Sequence, residues 1–322
     1  MPDRYDAPIR SDFCHCLSCR KRSKWAYGDS VDFYRNSSYV GTHEYYGTRK
    51  WNCQGRGPVW YGMELELSNC GSAAWRRAFR NLGPILAEVK PDGSLMETTT
   101  HPMSYRFFMA NYPWDLLGQW ESDGAVAHPD SGGIHVHVNK AGFNGADHVY
   151  NWWQLYYESP TLMTRLGGRT NPSRHFTPRP DRRAMRTLAR QVAGQIELSR
   201  ALHTGAVNAR GRGDTKYLRP EDKAVIRETE MAVMRVRDHV YDYGRGEAGA
   251  ISVRRHEPTF EVRFPGAAIT KGQVATRIQL IAAGVEYTRN QEGEGDHTFA
   301  SFADWVRNKR RYPELAASIA AL

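Results

Sequence analysis

Four short stretches of this chain share one alternation of apolar and charged residues. In Gly62-Met63-Glu64-Leu65-Glu66-Leu67 the aliphatic side chains fall on one face of an extended strand, and both glutamates fall on the other. Ile134-His135-Val136-His137-Val138 separates its aliphatics from two histidines in the same way. Phe260-Glu261-Val262-Arg263-Phe264 sets Glu261 and Arg263 opposite two phenylalanines and a valine. A turn signal, Pro91-Asp92-Gly93-Ser94, leads into a fourth predicted strand, Leu95-Met96-Glu97-Thr98-Thr99-Thr100. Helical spacing is clearest near 72–82, 145–166, 181–203, 221–242 and 271–289, with Asp181 placed to cap its helix. In the last of these, Val274, Ile278, Ile281 and Val285 form one apolar stripe. Trp152, Trp153, Tyr156 and Tyr157 lie at helical spacing and read as core. Strands and helices mixed in this order predict an α+β fold.

The polar positions of these strands are unusual. A half-buried sheet ordinarily sets solvent-tolerant residues such as Thr, Lys or Ser opposite its apolar face. Here the polar face carries Glu64, Glu66, His135, His137, Glu261 and Arg263, with Glu97 a further member. If the strands are neighbours, the carboxylates crowd together, which raises their pKa values and costs stability unless cations neutralise them. Carboxylate oxygens with one or two imidazoles suit Mg²⁺ or Mn²⁺.

Composition adds bounds. Seventeen tyrosines and nine tryptophans in 322 residues argue for a folded chain. The net charge of +9 suits a polyanionic partner such as nucleic acid, and equally an arginine-rich surface facing nucleotide phosphates. The first residues are too charged for a secretory signal, and no apolar run reaches a membrane span, so a cytoplasmic protein without membrane contact is expected. Residues 1–57 are polar and irregular, end at Gly55-Arg56-Gly57-Pro58, and hold Cys14, Cys16, Cys19 and Cys53. The C-x-x-C spacing of Cys16 and Cys19, completed by Cys14, Cys53 or His43, suits a structural Zn²⁺; reduced, unliganded thiols are the other reading.

Taken together, Gly-Met-Glu64-Leu-Glu66-Leu, Asp92-Gly-Ser94 with Glu97 and Thr-His101-Pro102, Gly132-Gly133-Ile-His135-Val-His137, and Thr-Phe-Glu261-Val-Arg263 resemble the amidoligases. These are carboxylate–amine ligases related to glutamine synthetase and glutamate–cysteine ligase, common in bacteria and phages. The resemblance spans about 58–290, leaving 1–57 as a separate segment and 291–322 as a helical extension. It implies a glutamine-synthetase-like antiparallel sheet, concave like a funnel, with helices packed on one face. It implies ATP with Mg²⁺ or Mn²⁺ as cofactors. Glu64, Glu66, Glu97, His135 and Glu261 would hold metal, Arg263 would contact phosphates, and His137 would lie beside the nucleotide or behind the ligands. Asn171, Arg174, Lys216 and Tyr217 would be phosphate or substrate contacts.

The implied chemistry activates a carboxylate as an acyl-phosphate that an amine then attacks. The amine and the acid are left open among amino acids, peptides, polyamines and nucleobases, as is the oligomeric state. The sequence shows no Walker motif and no convincing catalytic triad. A metal-dependent hydrolase built on His135 and His137, and a non-catalytic zinc-containing nucleic-acid-binding or virion-associated protein, are the rival readings.

Overall fold

The computed structural model describes residues 46–47, 54–55, 57–82, 85–128, 130–171, 173–176, 181–194, 249–252, 259–289, 291 and 297–322. Cys14, Cys16, Cys19, Cys53, His43, Lys216, Tyr217 and the expected helix 221–242 lie outside the described residues.

The strands are β1 (Tyr46–Gly47), β2 (Tyr61–Leu67), β3 (Leu86–Asp92), β4 (Leu95–Thr100), β5 (Ile134–Asn139), β6 (Ile251–Ser252) and β7 (Thr259–Val262). They form one sheet in the order β1-β3-β4-β2-β5-β7-β6, and every pairing is antiparallel. The four alternating stretches thus become four adjacent strands, β4-β2-β5-β7. Met63, Leu65, Ile134, Val136, Phe260 and Val262 are wholly withdrawn from water on one face. Each such burial stabilises by roughly 1.5–3 kcal/mol. A one-residue slip would exchange the two faces, so this burial locks the register.

The helices are α1 (Ser72–Leu82), α2 (Tyr105–Asn111), α3 (Asp115–Ser122), α4 (Ala146–Glu158), α5 (Pro160–Leu166), α6 (Ser173–Phe176), α7 (Lys271–Thr288), α8 (Phe299–Arg307) and α9 (Pro313–Ala320). Residues 182–194 are also helical. The expected helix over 145–166 is two helices, because Ser159 leaves helical geometry (φ −131°, ψ 57°) and Pro160 starts afresh at N1. Trp152, Trp153, Tyr156 and Tyr157 are core, as their spacing predicts. The α7 helix begins at Thr270, whose hydroxyl accepts from Gln273 N–H, and is buried on nearly every side. Its core is shared by the apolar sheet face and by Phe302, Val306, Leu315 and Ile319 of α8 and α9. The fold is therefore α+β, with an open antiparallel sheet whose second face is free to carry polar chemistry.

Candidate divalent-cation site

The register decides which polar residues meet. Glu64 lies opposite Thr99 on one side and His135 on the other, Glu66 opposite Glu97, and His137 opposite Glu261. Directly opposed residues share a face. Glu64, Glu66, Glu97, His135, His137 and Glu261 therefore occupy one patch, as the alternation predicts.

His135 Nδ1 lies 3.3 Å from Glu64 Oε2, 3.5 Å from Glu261 Oε1 and 3.8 Å from Glu66 Oε1. His137 Nε2 lies 3.0 Å from Glu64 Oε1, while its Nδ1 lies 3.0 Å from Thr259 Oγ1. Two sets of donor atoms are compact. Glu64, His137 and Glu261 offer atoms within 4.8 Å of one another, and so do Glu66, Asp92 and Glu97. His137 thus stands with the carboxylates rather than behind them. Asp92, read as a turn residue, is the last residue of β3, and only Gly93 and Ser94 make the hairpin loop. Gly93 takes φ 57°, which glycine adopts without penalty.

The electrostatics are uneven. Burial pushes the Glu97 carboxyl up to about 7, and the Glu64 charge adds to this against the pull of Lys90. Lys90 Nζ is 2.9 Å from Glu97 Oε1, and Thr99 Oγ1 donates to the same oxygen at 3.0 Å. Glu66 is also raised, chiefly by burial. Burial pushes Glu64 up as well, but His137 and His135 outweigh it and hold this carboxyl well below its ordinary range. Arg263 pairs with Glu261 through its guanidinium.

Gly133 shapes the floor beneath His135. A methyl group built on Gly133 would lie 2.8 Å from His135 Nε2 and 3.3 Å from Arg169 Nη2, so the imidazole and a buried arginine both rest on bare backbone. Arg169 Nε donates to Phe264 O at 2.8 Å and its Nη2 to Pro265 O at 3.3 Å, which fixes the chain just beyond Arg263. The Gly-Gly doublet before the histidine strand was the available signal for this packing.

Asn171 is exposed beyond α5, and the backbone of Arg174 lies in α6. His101 is buried beside β4, and desolvation pushes it down to about 4, so it is neutral at physiological pH. Cys70 is a half-buried free thiol pushed up to about 12 by burial.

The donors fit a divalent cation. Hard carboxylate oxygens dominate, imidazole nitrogens supplement them, and the spacing needs only modest closure to reach coordination at about 2–2.6 Å. Positive charge at this place would also relieve the like-charge pressure on Glu66 and Glu97. No protein-family model and no curated protein matches this chain. Among the described residues no helix is long and apolar enough to cross a membrane.

Proposed function

We propose that this chain is an ATP-dependent carboxylate–amine ligase whose polar sheet face holds Mg²⁺ or Mn²⁺. The observation that carries the reading is the patch itself: two compact donor sets side by side on one antiparallel sheet face. The amidoligase-like order of the strand motifs supplies the reaction class, and a glutamine-synthetase-like funnel belongs to the same proposal.

Glu64, His137 and Glu261 would hold one cation, with His135 Nδ1 facing the same carboxylates, and Glu66, Asp92 and Glu97 would hold a second. A bound divalent cation neutralises phosphate charge and polarises the transferring phosphoryl group. The carboxylates fix where that charge sits and orient the triphosphate. Arg263 leaves Glu261 and offers its planar guanidinium to phosphoryl oxygens, which it can contact bidentately. Lys90, relieved of Glu97, becomes a mobile cation at the edge of the patch. A substrate carboxylate oxygen bonds to the γ-phosphorus as the bond to ADP breaks. The amine nitrogen then bonds to the acyl carbon, inorganic phosphate leaves, and the amine proton passes to solvent.

Calorimetric titration of ATP, with Mg²⁺ present and then chelated, tests this on the wild type and Glu261→Ala. Nucleotide binding that needs Mg²⁺ and is lost in the variant is the expected result. A wild type that binds Mg²⁺ but no nucleotide would overturn the ligase reading and favour a hydrolase on the same residues.

A further inference from the structure

The two nitrogens of His137 face different partners. Nε2 points at Glu64 Oε1 and Nδ1 at the Thr259 hydroxyl, each at 3.0 Å. Thr259 opens β7 and sits opposite Asn139 in the register. Asn139 is committed elsewhere: its Oδ1 accepts from Trp60 N–H at 2.7 Å and its Nδ2 donates to Pro58 O. The threonine hydroxyl is thereby directed to the imidazole.

A carboxylate accepts hydrogen bonds and cannot donate them. With no cation bound, the Nε2 position of His137 therefore carries a proton, which it donates to Glu64, and Nδ1 shares a hydrogen bond with the Thr259 hydroxyl. To ligate a cation through Nε2, the same ring must carry its proton on Nδ1. A hydroxyl is both donor and acceptor, so it can partner Nδ1 whether or not that nitrogen carries a proton. A carbonyl or carboxylate in this place would serve the protonated Nδ1 alone.

We infer that Thr259 is a positioning residue for His137, a hydroxyl partner that holds the ring in the orientation that aims Nε2 at the cation site. The inference rests on the reading of His137 as a cation ligand. Groups that orient ligating histidines commonly contribute 10–100-fold in metal affinity.

The test compares wild type, Thr259→Val, Thr259→Ser and His137→Ala as full chains. Mn²⁺ affinity is read by electron paramagnetic resonance, and the His137 ring ¹⁵N signals are followed with and without Mg²⁺. Thr259→Val keeps the shape of threonine and removes the hydroxyl. It is expected to weaken Mn²⁺ binding about 10–100-fold. Thr259→Ser, which restores the hydroxyl, is expected to return affinity to the wild-type value. In the wild type, Mg²⁺ should leave Nε2 without a proton and Nδ1 protonated. Equal affinity in wild type and Thr259→Val, with binding at the Glu64–His137–Glu261 set lost in His137→Ala, would overturn the role of Thr259 and leave the cation site standing. Equally weak binding in the Val and Ser variants would reduce Thr259 to packing and also overturn it. A wild type that takes up no Mn²⁺ would overturn the cation reading itself.

Discussion

Gly133→Ala alters the site without replacing any candidate ligand. A Cβ built at Gly133 comes 2.8 Å from Nε2 and 3.0 Å from Cδ2 of His135. Ordinary contact between such atoms is about 3.5 Å, so the imidazole must withdraw by roughly 0.5–1 Å. That displacement is comparable with the slack in the Nδ1 contacts to Glu64, Glu261 and Glu66, at 3.3, 3.5 and 3.8 Å. Functional constellations tolerate about 0.5 Å, and a 1 Å misplacement can cost on the order of 100-fold. Mn²⁺ affinity should therefore fall roughly 10–100-fold. Overpacking should cost about 1–3 kcal/mol of stability. Gly133 lies outside the left-handed region, so no backbone strain is added, and the entropic gain of alanine offsets about 0.4–1 kcal/mol. Mn²⁺ titration and urea unfolding of the cation-free protein read the two effects separately. Gly118→Ala is the control, because nothing lies within 4 Å of its built Cβ. Wild-type Mn²⁺ affinity in Gly133→Ala would refute the claim that His135 is held over this glycine for cation binding.

Further outcomes follow from the electrostatics. In chelator, Glu97 is held near 7 against an ordinary 4.5, so between those values the native state binds more protons than the unfolded chain. The Glu97 contribution to stability should then fall by about 3 kcal/mol as pH rises through that window. Buried His101 and His148, held near 4 against an ordinary 6.5, contribute in the opposite sense; Glu64, which is lowered, loses its contribution only at acid pH below the ordinary carboxylate range. Urea unfolding of wild type and Glu97→Gln at pH 5 and 8 isolates this contribution of Glu97, and a wild-type stability relative to the variant that does not fall with pH contradicts it. Glu97→Gln should make the pH slope more positive, raise cation-free stability at pH 8 and remove one Mn²⁺ per chain; an unchanged slope would place the titration elsewhere. Asp92 is exposed, so Asp92→Asn should leave cation-free stability within about 0.5 kcal/mol. It should remove one Mn²⁺ and spare the set built on Glu64, and loss of both would show a single shared site.

Much of this was legible from period-two alternation. The strands of Glu64, Glu97, His135 and Glu261 were readable because one face of each is uniformly apolar, and a face that must be buried fixes the phase of the other. Their order in the sheet was not readable, since nothing local states that β2 lies between β4 and β5. Asp92 was hidden by Pro91-Asp92-Gly93-Ser94, whose composition marks a turn, although the strand continues through Pro91 and Asp92. The helices α2 and α3, of 7 and 8 residues, are too short for periodicity to reveal. The deep burial of α7 was disguised by Thr276, Arg277 and Gln279. These polar residues are buried because they bond outward: Arg277 Nε donates to Gly167 O at 2.8 Å, and Gln279 Oε1 accepts from Leu315 N–H at 2.9 Å. The Thr259 partner of His137 was likewise unreadable, because it lies diagonally across a strand pair 122 residues away.

The central claim is that the polar sheet face binds divalent cations for use with a nucleotide. Mn²⁺ titration of the full chain by electron paramagnetic resonance, without and then with ATP, tests it most directly. The account predicts saturable uptake of two Mn²⁺ per chain, tightened by ATP and abolished for the first set by Glu64→Gln with Glu261→Gln. Uptake that does not saturate, or that the double variant leaves unchanged, would contradict it.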